Sequence, residues 1–568
     1  MPGPVTRHFV TLPDGRFGPR QVHYRRAGRG PCVILLHQSP MSSRDLLPMI
    51  GRLADRHTCI APDTPGYGLS DPFGLPAVTM EAIADGVIEF ADALGIGRFA
   101  AYGFHTGAMI AVAVGHRHPD RVTGVAANGF VMPTDALRDE LLQHYLPPFE
   151  PKWDGSHLAW LWARMREQTI FFPWYRKDLA SRMDFDVPPP EKLQDNVLEF
   201  LRAGDQYRVA YRAAFEFRGD AALAATRTPT LITATASDPL REDLARIQPR
   251  PPWVEVVPGG SVDATLALCA EFLERHPAPV PPPVPATAPL ASRLWQQMVD
   301  VPGGQLRVRR NTDADGRVVL VQHDAASSSD QVEPVAASFI GHRPVLAIDL
   351  PGHGESDNTI GEEGVTVESY TAVVRQALDA LGIDDCDFYG MWGGGLVGLE
   401  LAQQDARVRR LVMSDVLWPE PALREELKAH YTPAIEPDWY GGHLLQAWHL
   451  LRDQGLFWPW FRRTRDGILW KEPHVDPAMV HARLVSLFKA PRMWRLAYQA
   501  HFAYPVEERL ARICQPTLLC APAWDPQLED TRRAQAANPN CAFLQLPDQL
   551  EEWGPAMLRF LDQDGVGK

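Results

Sequence analysis

A short stretch at residues 102–107, with the sequence YGFHTG, holds the residue best suited to chemistry. An apolar run at 99–102 leads into this glycine-flanked turn, and a run of small, helix-forming residues follows at 108–114. Strand, sharp turn and helix in this order are typical of a nucleophile elbow, a strained turn that projects its central side chain into a pocket. The central residue is His105, where such a turn usually carries a hydroxyl.

An imidazole at this position could act in three ways. It could be a general base near neutral pH that removes a proton from water or from a substrate C–H or O–H group. It could be a transient nucleophile. It could also be a relic that fills a dead site and hydrogen-bonds Ser261 or Asp238. The sequence leaves these three readings of His105 open.

A second copy of the turn, YGMWGG at 389–394, has Trp392 at its centre. An indole has one N–H donor, and it has neither a basic nitrogen nor a nucleophilic atom at neutral pH. We therefore predict that the second copy is non-catalytic and that Trp392 fills its pocket. The alternative is that Trp392 forms a stacking floor for an aromatic ligand.

The whole chain repeats itself. The block at 150–176 matches the block at 436–462 without a gap, with 13 of 27 residues identical. This pattern predicts a tandem duplication with domains at 1–275 and 293–568, joined by a stiff, proline-rich linker at 276–292. Each domain includes a tryptophan-rich segment with a helical pattern, at 133–219 and at 419–504, which we interpret as a lid.

Each half alternates apolar strands, glycine or proline turns, and amphipathic helices. This alternation predicts an α/β fold with a mainly parallel sheet flanked by helices in each half. In the first half the predicted strands lie near residues 32–36, 59–61, 99–102, 122–126, 230–235 and 254–257.

Three further motifs accompany the two turns. They are HQSP at 37–40, an Asp-x-Pro-Gly-x-Gly-x-Ser-Asp loop at 63–71 and again at 349–357, and a late Pro-Thr-Leu strand followed by Asp-Pro at 238–239 and 525–526. Together these motifs resemble the α/β-hydrolase superfamily, twice, over nearly the whole chain. That fold hosts hydrolases, dehalogenases, lyases, cofactor-free oxygenases and non-catalytic receptors, so the resemblance implies a fold more strongly than a function.

The resemblance also implies roles for individual residues. Asp238 would be the acid that orients an active-site imidazole, and Asp525 would be its counterpart in a degenerate second site with Trp392. The backbone N–H groups of Ser39 and Thr106 would form an oxyanion hole. The family's histidine on the last loop is missing from both halves, and the loop at 257–263 offers Ser261, which would face His105 if the two residue types had exchanged positions.

Four other residues are candidate substrate contacts. His37 and Gln38 belong to the early turn, where the resemblance implies that they shape the oxyanion loop. His157 and Trp153 lie in a Trp-x-Gly-x-His-Leu pattern that both halves share. A feature kept in a half that lacks a reactive group favours packing over catalysis, and contact of His157 with substrate is the alternative.

The composition and charge of the chain argue against several classes of partner and location. The formal net charge is -14, without a basic stripe, so nucleic acid is excluded as a partner. We predict neither export nor a membrane span, and therefore a cytoplasmic protein, because no signal-peptide pattern and no long apolar run are present. The seven cysteines are scattered and include no C-x-x-C pair, which favours reduced thiols over disulfides or a metal site. We expect no cofactor.

Two functional hypotheses follow. In the first, the protein is a cofactor-free enzyme whose first half hydrolyses, or cleaves by a lyase-type step, a small apolar or aromatic carbonyl or ester substrate. In the second, it is a pseudoenzyme that binds a small ligand or a partner without turnover. We expect the two halves to associate as an internal pseudo-dimer, and further oligomerisation stays open.

Overall fold

The computed structural model describes residues 3–563. Its contacts divide the chain into two compact units. Unit 1 comprises the residues up to Glu150, Ser156–Ala288 and Pro437–Gly441. Unit 2 comprises Pro151–Gly155, Pro289–Glu436 and the residues from Gly442 onward.

Unit 1 contains an eight-stranded sheet. Its strands are β1 (Thr6–Leu12), β2 (Arg20–Ala27), β3 (Cys32–Leu36), β4 (Thr58–Pro62), β5 (Phe99–Phe104), β6 (Val122–Asn128), β7 (Thr230–Thr233) and β8 (Val254–Val256). Their order across the sheet is β1-β2-β4-β3-β5-β6-β7-β8. The strand β2 runs antiparallel to both β1 and β4, and every other neighbouring pair is parallel.

The central strand β3 (CVILL) is apolar and buried along its whole length, as expected for a strand in a sheet that helices cover. Helices α1 (Leu47–Leu53) and α9 (Val262–Arg275) pack on it, and Met49 and Phe272 share a core cluster with Leu35. The other helices are α2 (Met80–Ala93), α3 (Thr106–Arg117), α4 (Asp135–His144), α5 (Ser156–Glu167), α6 (Pro190–Ala203), α7 (Tyr207–Glu216) and α8 (Gly219–Ala225). The last five lie between β6 and β7.

Unit 2 repeats this arrangement. Its strands are β9 (Trp295–Val301), β10 (Gly304–Asn311), β11 (Val318–Gln322), β12 (Val345–Ile348), β13 (Cys386–Met391), β14 (Val408–Ser414), β15 (Thr517–Pro522) and β16 (Ala542–Leu546), in the order β16-β15-β14-β13-β11-β12-β10-β9. Its helices are α10 (Glu333–Ala337), α11 (Val367–Ala380), α12 (Gly393–Gln404), α13 (Pro421–His430), α14 (Gly442–Asp453), α15 (Pro477–Lys489), α16 (Met493–Ala503), α17 (Val506–Leu510), α18 (Leu528–Ala537) and α19 (Trp553–Leu561).

The predicted fold class, two tandem α/β domains with mainly parallel sheets, is confirmed. The six strands predicted in the first half are β3 to β8, with ends that differ by two residues at most. The antiparallel strands β1 and β2 were not predicted. The proline-rich segment is ordered against unit 1, since the Cys32 N–H donates to the Pro279 carbonyl at 3.1 Å.

The following observations apply to the described residues, 3–563. Over that range no helix is both long enough and apolar enough to cross a membrane. The cysteines are all free thiols, and Cys514 is exposed while the others are buried. No group of three or more His, Cys, Asp or Glu side chains in the described part of the chain is arranged to hold a metal ion.

Candidate active site

His105 sits at the sharp bend between β5 and α3. Its backbone has φ +49° and ψ −114°, a region that costs free energy for any residue with a side chain. Two glycines force the bend, because a Cβ added to Gly103 would lie 2.0 Å from the Gly107 carbonyl oxygen, and one added to Gly107 would lie 2.0 Å from the Leu36 oxygen. Close packing of the backbone therefore fixes the direction of the His105 side chain.

The imidazole of His105 is paired with Asp238. The two atoms His105 Nε2 and Asp238 Oδ2 are 2.9 Å apart, and the side chains are 30% and 5% exposed. Asp238 is itself held in place, since its Oδ1 accepts the Leu240 N–H at 2.9 Å at the start of a short 3-10 turn. A carboxylate only accepts hydrogen bonds, so Nε2 carries the proton and Nδ1 keeps a lone pair in the neutral ring.

Asp238 is ionised in this arrangement. Burial works to raise the pKa of its carboxyl, but the charge and hydrogen bond of His105, together with the Leu240 amide, hold that pKa below its ordinary value. The pair is therefore a carboxylate that accepts an N–H from an imidazole whose other nitrogen can act as a base. Phe104 stacks on the same imidazole at a ring distance of 4.1 Å, which restricts its rotation.

Gly129, which the sequence analysis missed, makes room for this pair. It follows β6 with φ +72°, and a Cβ built there would lie 2.1 Å from His105 Cδ2 and 3.1 Å from Asp238 Oδ2. Any side chain at 129 would thus collide with the imidazole. A comparison of the two halves could have singled out Gly129, because the corresponding position of unit 2, directly after β14, carries Asp415 and not a glycine.

Thr106 and Ser39 flank the bend. Thr106 is the first residue of α3, where a helix has no internal acceptor for the N–H group. Ser39 is 3% exposed and precedes a cis proline, Pro40. Their function as oxyanion donors stays a prediction.

His37 has a structural role that uses both of its ring nitrogens. Nδ1 lies 2.8 Å from the Gln38 carbonyl oxygen, and Nε2 accepts the Thr64 N–H at 2.9 Å. His323 makes the same two contacts in unit 2, at 2.6 Å to the Asp324 oxygen and 2.9 Å to the Leu350 N–H. Because both nitrogens bond to backbone, His37 holds the loop and has no ring nitrogen left for substrate.

The side chain of Gln38 contacts a second carboxyl group, that of Asp45, which the sequence analysis missed. Its Nε2 donates to Asp45 Oδ2 at 3.2 Å. Burial raises the pKa of Asp45, although the nearby charges of His37 and His105 and the Gln38 hydrogen bond oppose the shift. Asp45 lies in a 3-10 turn after HQSP, where no motif distinguishes it from an ordinary capping residue.

The remaining candidates of the first half have other contacts. Ser261 is exposed and caps α9, with its Oγ accepting the Ala264 N–H at 3.2 Å. Trp153 is 69% exposed, and its carbonyl accepts the Trp448 N–H at 3.3 Å within unit 2. His157 is 5% exposed on α5, with its ring 5.8 Å from that of Phe149. Ser261 thus serves as a helix cap, the side chain of Trp153 is exposed, and His157 packs on an aromatic ring.

A surface cavity of about 500 Å³ lies elsewhere in unit 1. It is lined by residues at the start of α2, at the end of α3 and along α7 and α8, including Thr79, His116, Phe217 and Arg218. None of its lining residues belongs to the site around His105.

The second site, which is predicted to be degenerate, keeps the bend. Trp392 has φ +46° and ψ −119°, almost the conformation of His105, and lies between β13 and α12. Asp525 is 5% exposed, and its Oδ1 accepts the Gln527 N–H at 2.7 Å. Burial raises the pKa of Asp525 to about 6, against the opposing effects of the Gln527 amide, the Lys471 charge and the Trp392 indole.

The sequence model of the alpha/beta hydrolase fold matches residues 31–244 and 317–443, which together exceed half of the chain. The chain belongs to the alpha/beta hydrolase fold family. One matched segment lies in each half, in agreement with the predicted duplication of an alpha/beta hydrolase domain.

Several relatives match part of the chain. Haloalkane dehalogenase 2 of Mycobacterium tuberculosis is 37% identical over 119 residues, which are 21% of this chain and 41% of that protein. The 2-(acetamidomethylene)succinate hydrolase of Mesorhizobium japonicum is 33% identical over 136 residues, 23% of this chain and 47% of that protein. The chain thus spans less than half of the length of these relatives.

Solved structures also match. The enol-lactonase from Burkholderia xenovorans LB400 is 20% identical, and the match covers 47% of this chain and 100% of that one with a TM-score of 0.35. Epoxide hydrolase A from Mycobacterium thermoresistibile is 17% identical, and the match covers 48% of this chain and 98% of that one with a TM-score of 0.37.

Proposed function

We propose that unit 1 hydrolyses a small apolar or aromatic ester or related carbonyl substrate, with His105 as the general base. The observation that carries this proposal is the 2.9 Å pairing of His105 Nε2 with Asp238 at the strained bend. It gives the imidazole the orientation and the tautomer of a catalytic base. The hydrolases among the relatives support the reaction type, and no step of the reaction needs a cofactor.

The first step is proton removal from water. The carboxylate of Asp238 accepts the Nε2–H of His105, which leaves the Nδ1 lone pair to take a proton from a water molecule. As that proton moves, the water oxygen bonds to the carbonyl carbon of the substrate. The imidazolium that forms is stabilised by the negative charge of Asp238, which is 5% exposed and therefore poorly screened by solvent.

The second step is collapse of the tetrahedral intermediate. The electron pair of the C=O bond moves to oxygen during attack, and the N–H groups of Thr106 and Ser39 stabilise the resulting negative charge. When the C=O bond re-forms, the bond to the leaving oxygen breaks and the proton on Nδ1 passes to that oxygen. One ester and one water thus give one carboxylic acid and one alcohol, and His105 returns to its starting state.

The test is turnover of a panel of esters, lactones and 1,3-diketones by the full-length protein. His105→Ala should lower kcat by about 10²–10⁴-fold, the usual contribution of a general base. Asp238→Asn should cause a similar loss, because an amide that donates to Nε2 would reverse the tautomer. The matched control is Asp525→Asn, which makes the same change at the corresponding position of unit 2 and should leave turnover unchanged.

Two outcomes would overturn the proposal. Equal rates for the wild type and the His105→Ala variant would remove His105 from the chemistry. Absence of turnover across the panel, together with saturable binding of a panel compound that His105→Ala abolishes, would favour the ligand-binding pseudoenzyme.

A further inference from the structure

The two units differ in what occupies the start of the helix after the bend. In unit 2 that helix is α12, twelve residues long, and its first residue is Gly393. The Gly393 N–H donates to Asp324 Oδ1 at 3.0 Å. Thr106 holds the corresponding place in unit 1, and the residue that corresponds to Asp324 is the uncharged Gln38.

A second group reaches the same carboxylate oxygen. His501, on α16, places its Nδ1 3.4 Å from Asp324 Oδ1. His501 is 3% exposed and Asp324 is 5% exposed, so the contact is shielded from water. Neither ring nitrogen of His501 makes a hydrogen bond of normal geometry among the described residues. The imidazole is therefore directed at the start of α12, and its ring also packs edge-on against the ring of Tyr498 at 6.2 Å.

Two further side chains face the Asp324 carboxyl group. Burial, and after it the negative charge of Asp324, raises the pKa of Tyr498 well above its ordinary value. The guanidinium of Arg483 also interacts electrostatically with Asp324. An amide, an imidazole, a phenol and a nearby guanidinium together form the kind of polar shell that holds a buried carboxylate.

The glycine at 393 is required by this arrangement. A Cβ added there would lie 2.0 Å from both Cε1 and Nδ1 of His501 and 2.5 Å from Asp324 Oδ1. In unit 1 the three corresponding residues are Gln38, Thr106 and Ala214, so all three positions differ at once. There the Gln38 side chain bonds instead to Asp45 at 3.2 Å.

We propose that unit 2 contains a carboxylate-binding site at the start of α12, formed by Gly393 and His501, and that Asp324 is its resident ligand. The occupied site leaves the Gly393 N–H unable to stabilise an anion from outside. In unit 1, within the described residues, the corresponding Thr106 N–H has no carboxylate on it, because Gln38 carries an amide where unit 2 has the Asp324 carboxylate, and that amide donates to Asp45. The side chain at position 38 in unit 1, and at position 324 in unit 2, thus decides which unit can bind an external anion.

The proposal can be tested by removing the Asp324 carboxylate and supplying a free carboxylate ion in its place. Asp324→Ala removes one carboxylate, and formate is that carboxylate with a hydrogen in place of Cβ. Sodium formate should raise the unfolding midpoint of Asp324→Ala in a saturable manner, as a ligand that binds only the folded state does. Sodium chloride at equal ionic strength should not raise it, and formate should leave the wild type unchanged.

Asp324→Asn is the matched control, since its amide fills the same space without charge and should block the response to formate. A formate response equal in all three proteins, or absent from Asp324→Ala, would overturn the proposal.

Hydrogen exchange of the wild-type protein tests the same idea independently of any variant's folding. The Gly393 amide should exchange at least about tenfold more slowly than the Thr106 amide, because within residues 3–563 only the Gly393 N–H has a hydrogen-bond acceptor. Equal exchange at the two amides would contradict an occupied site in unit 2. Neither measurement uses turnover, so failure here and failure of the proposed hydrolysis are distinguishable.

Discussion

Replacing Gly129 by alanine tests whether the His105–Asp238 pair is responsible for activity. The added Cβ would lie 2.1 Å from His105 Cδ2, whereas ordinary contact begins at 3.4 Å, so the imidazole must move by about 1.3 Å. A shift of that size stretches the 2.9 Å bond between Nε2 and Asp238 beyond hydrogen-bond range. We expect kcat to fall by about 10²–10³-fold, close to the loss for Asp238→Asn.

The backbone itself tolerates a side chain at this place. Asp415 has φ +58° at the corresponding position of unit 2, and its N–H donates to the Cys520 carbonyl at 2.9 Å, as the Gly129 N–H donates to Thr233 at 2.8 Å. The variant should therefore fold. Its positive φ alone costs about 1 kcal/mol of unfolding free energy.

Gly18→Ala is the control for that cost. Gly18 has φ +94°, and a Cβ there would meet no atom within 4 Å. It should lose similar stability and no activity. The measurements are chemical denaturation, kcat on the best panel substrate, and the Nε2–Oδ2 distance in a crystal structure. Full activity of Gly129→Ala with that distance beyond 3.5 Å would refute the claim that the pair drives the chemistry.

Two further predictions concern stability. Because the pKa of Asp525 is raised to about 6 in the folded protein, its contribution to stability is complete below pH 4 and is lost as pH rises through 6. Asp525→Asn should therefore raise the unfolding free energy by up to about 3 kcal/mol at pH 8 and by little at pH 4; denaturation at the two pH values measures this, and an equal effect at both would contradict it. Ser261→Ala should cost about 1 kcal/mol by removing the cap of α9. Its turnover should persist, and a loss of turnover without a loss of stability would instead place Ser261 at the substrate.

The sequence predicts strands from their apolar runs and misses the polar strand β2. The strand β3 reads CVILL, and its burial on both faces follows from that composition. The strand β2 reads RQVHYRRA and carries three arginines, so no apolar run identifies it. It forms because β1 and β4 pair with it on either side, which only the assembled sheet determines.

Sequence motifs locate the candidate residues of the site, but the packing of the folded chain determines what each of them contacts. His105 and Asp238 were found because each follows a recognisable strand, but their separation depends on the whole sheet. Gly129 and Asp324 could not be found in this way, since a glycine after a strand or an aspartate after a histidine is common. Ser261 was considered only as a residue that would face His105, although a serine directly before a helical apolar run is a cap signal and it does cap α9.

The bend at Trp392 has a consequence for protein engineering. Its shape comes from Gly390 and Gly394, whose added Cβ atoms would lie 2.4 and 2.5 Å from neighbouring backbone, and so persists without a reactive group. A search that recognises enzymes by this bend alone would also find copies, such as this one, with neither a nucleophile nor a base at the centre of the bend. The same property makes unit 2 a suitable scaffold for design. The backbone of the bend would set the direction of a new reactive side chain at 392, so that only the surrounding residues need to be redesigned.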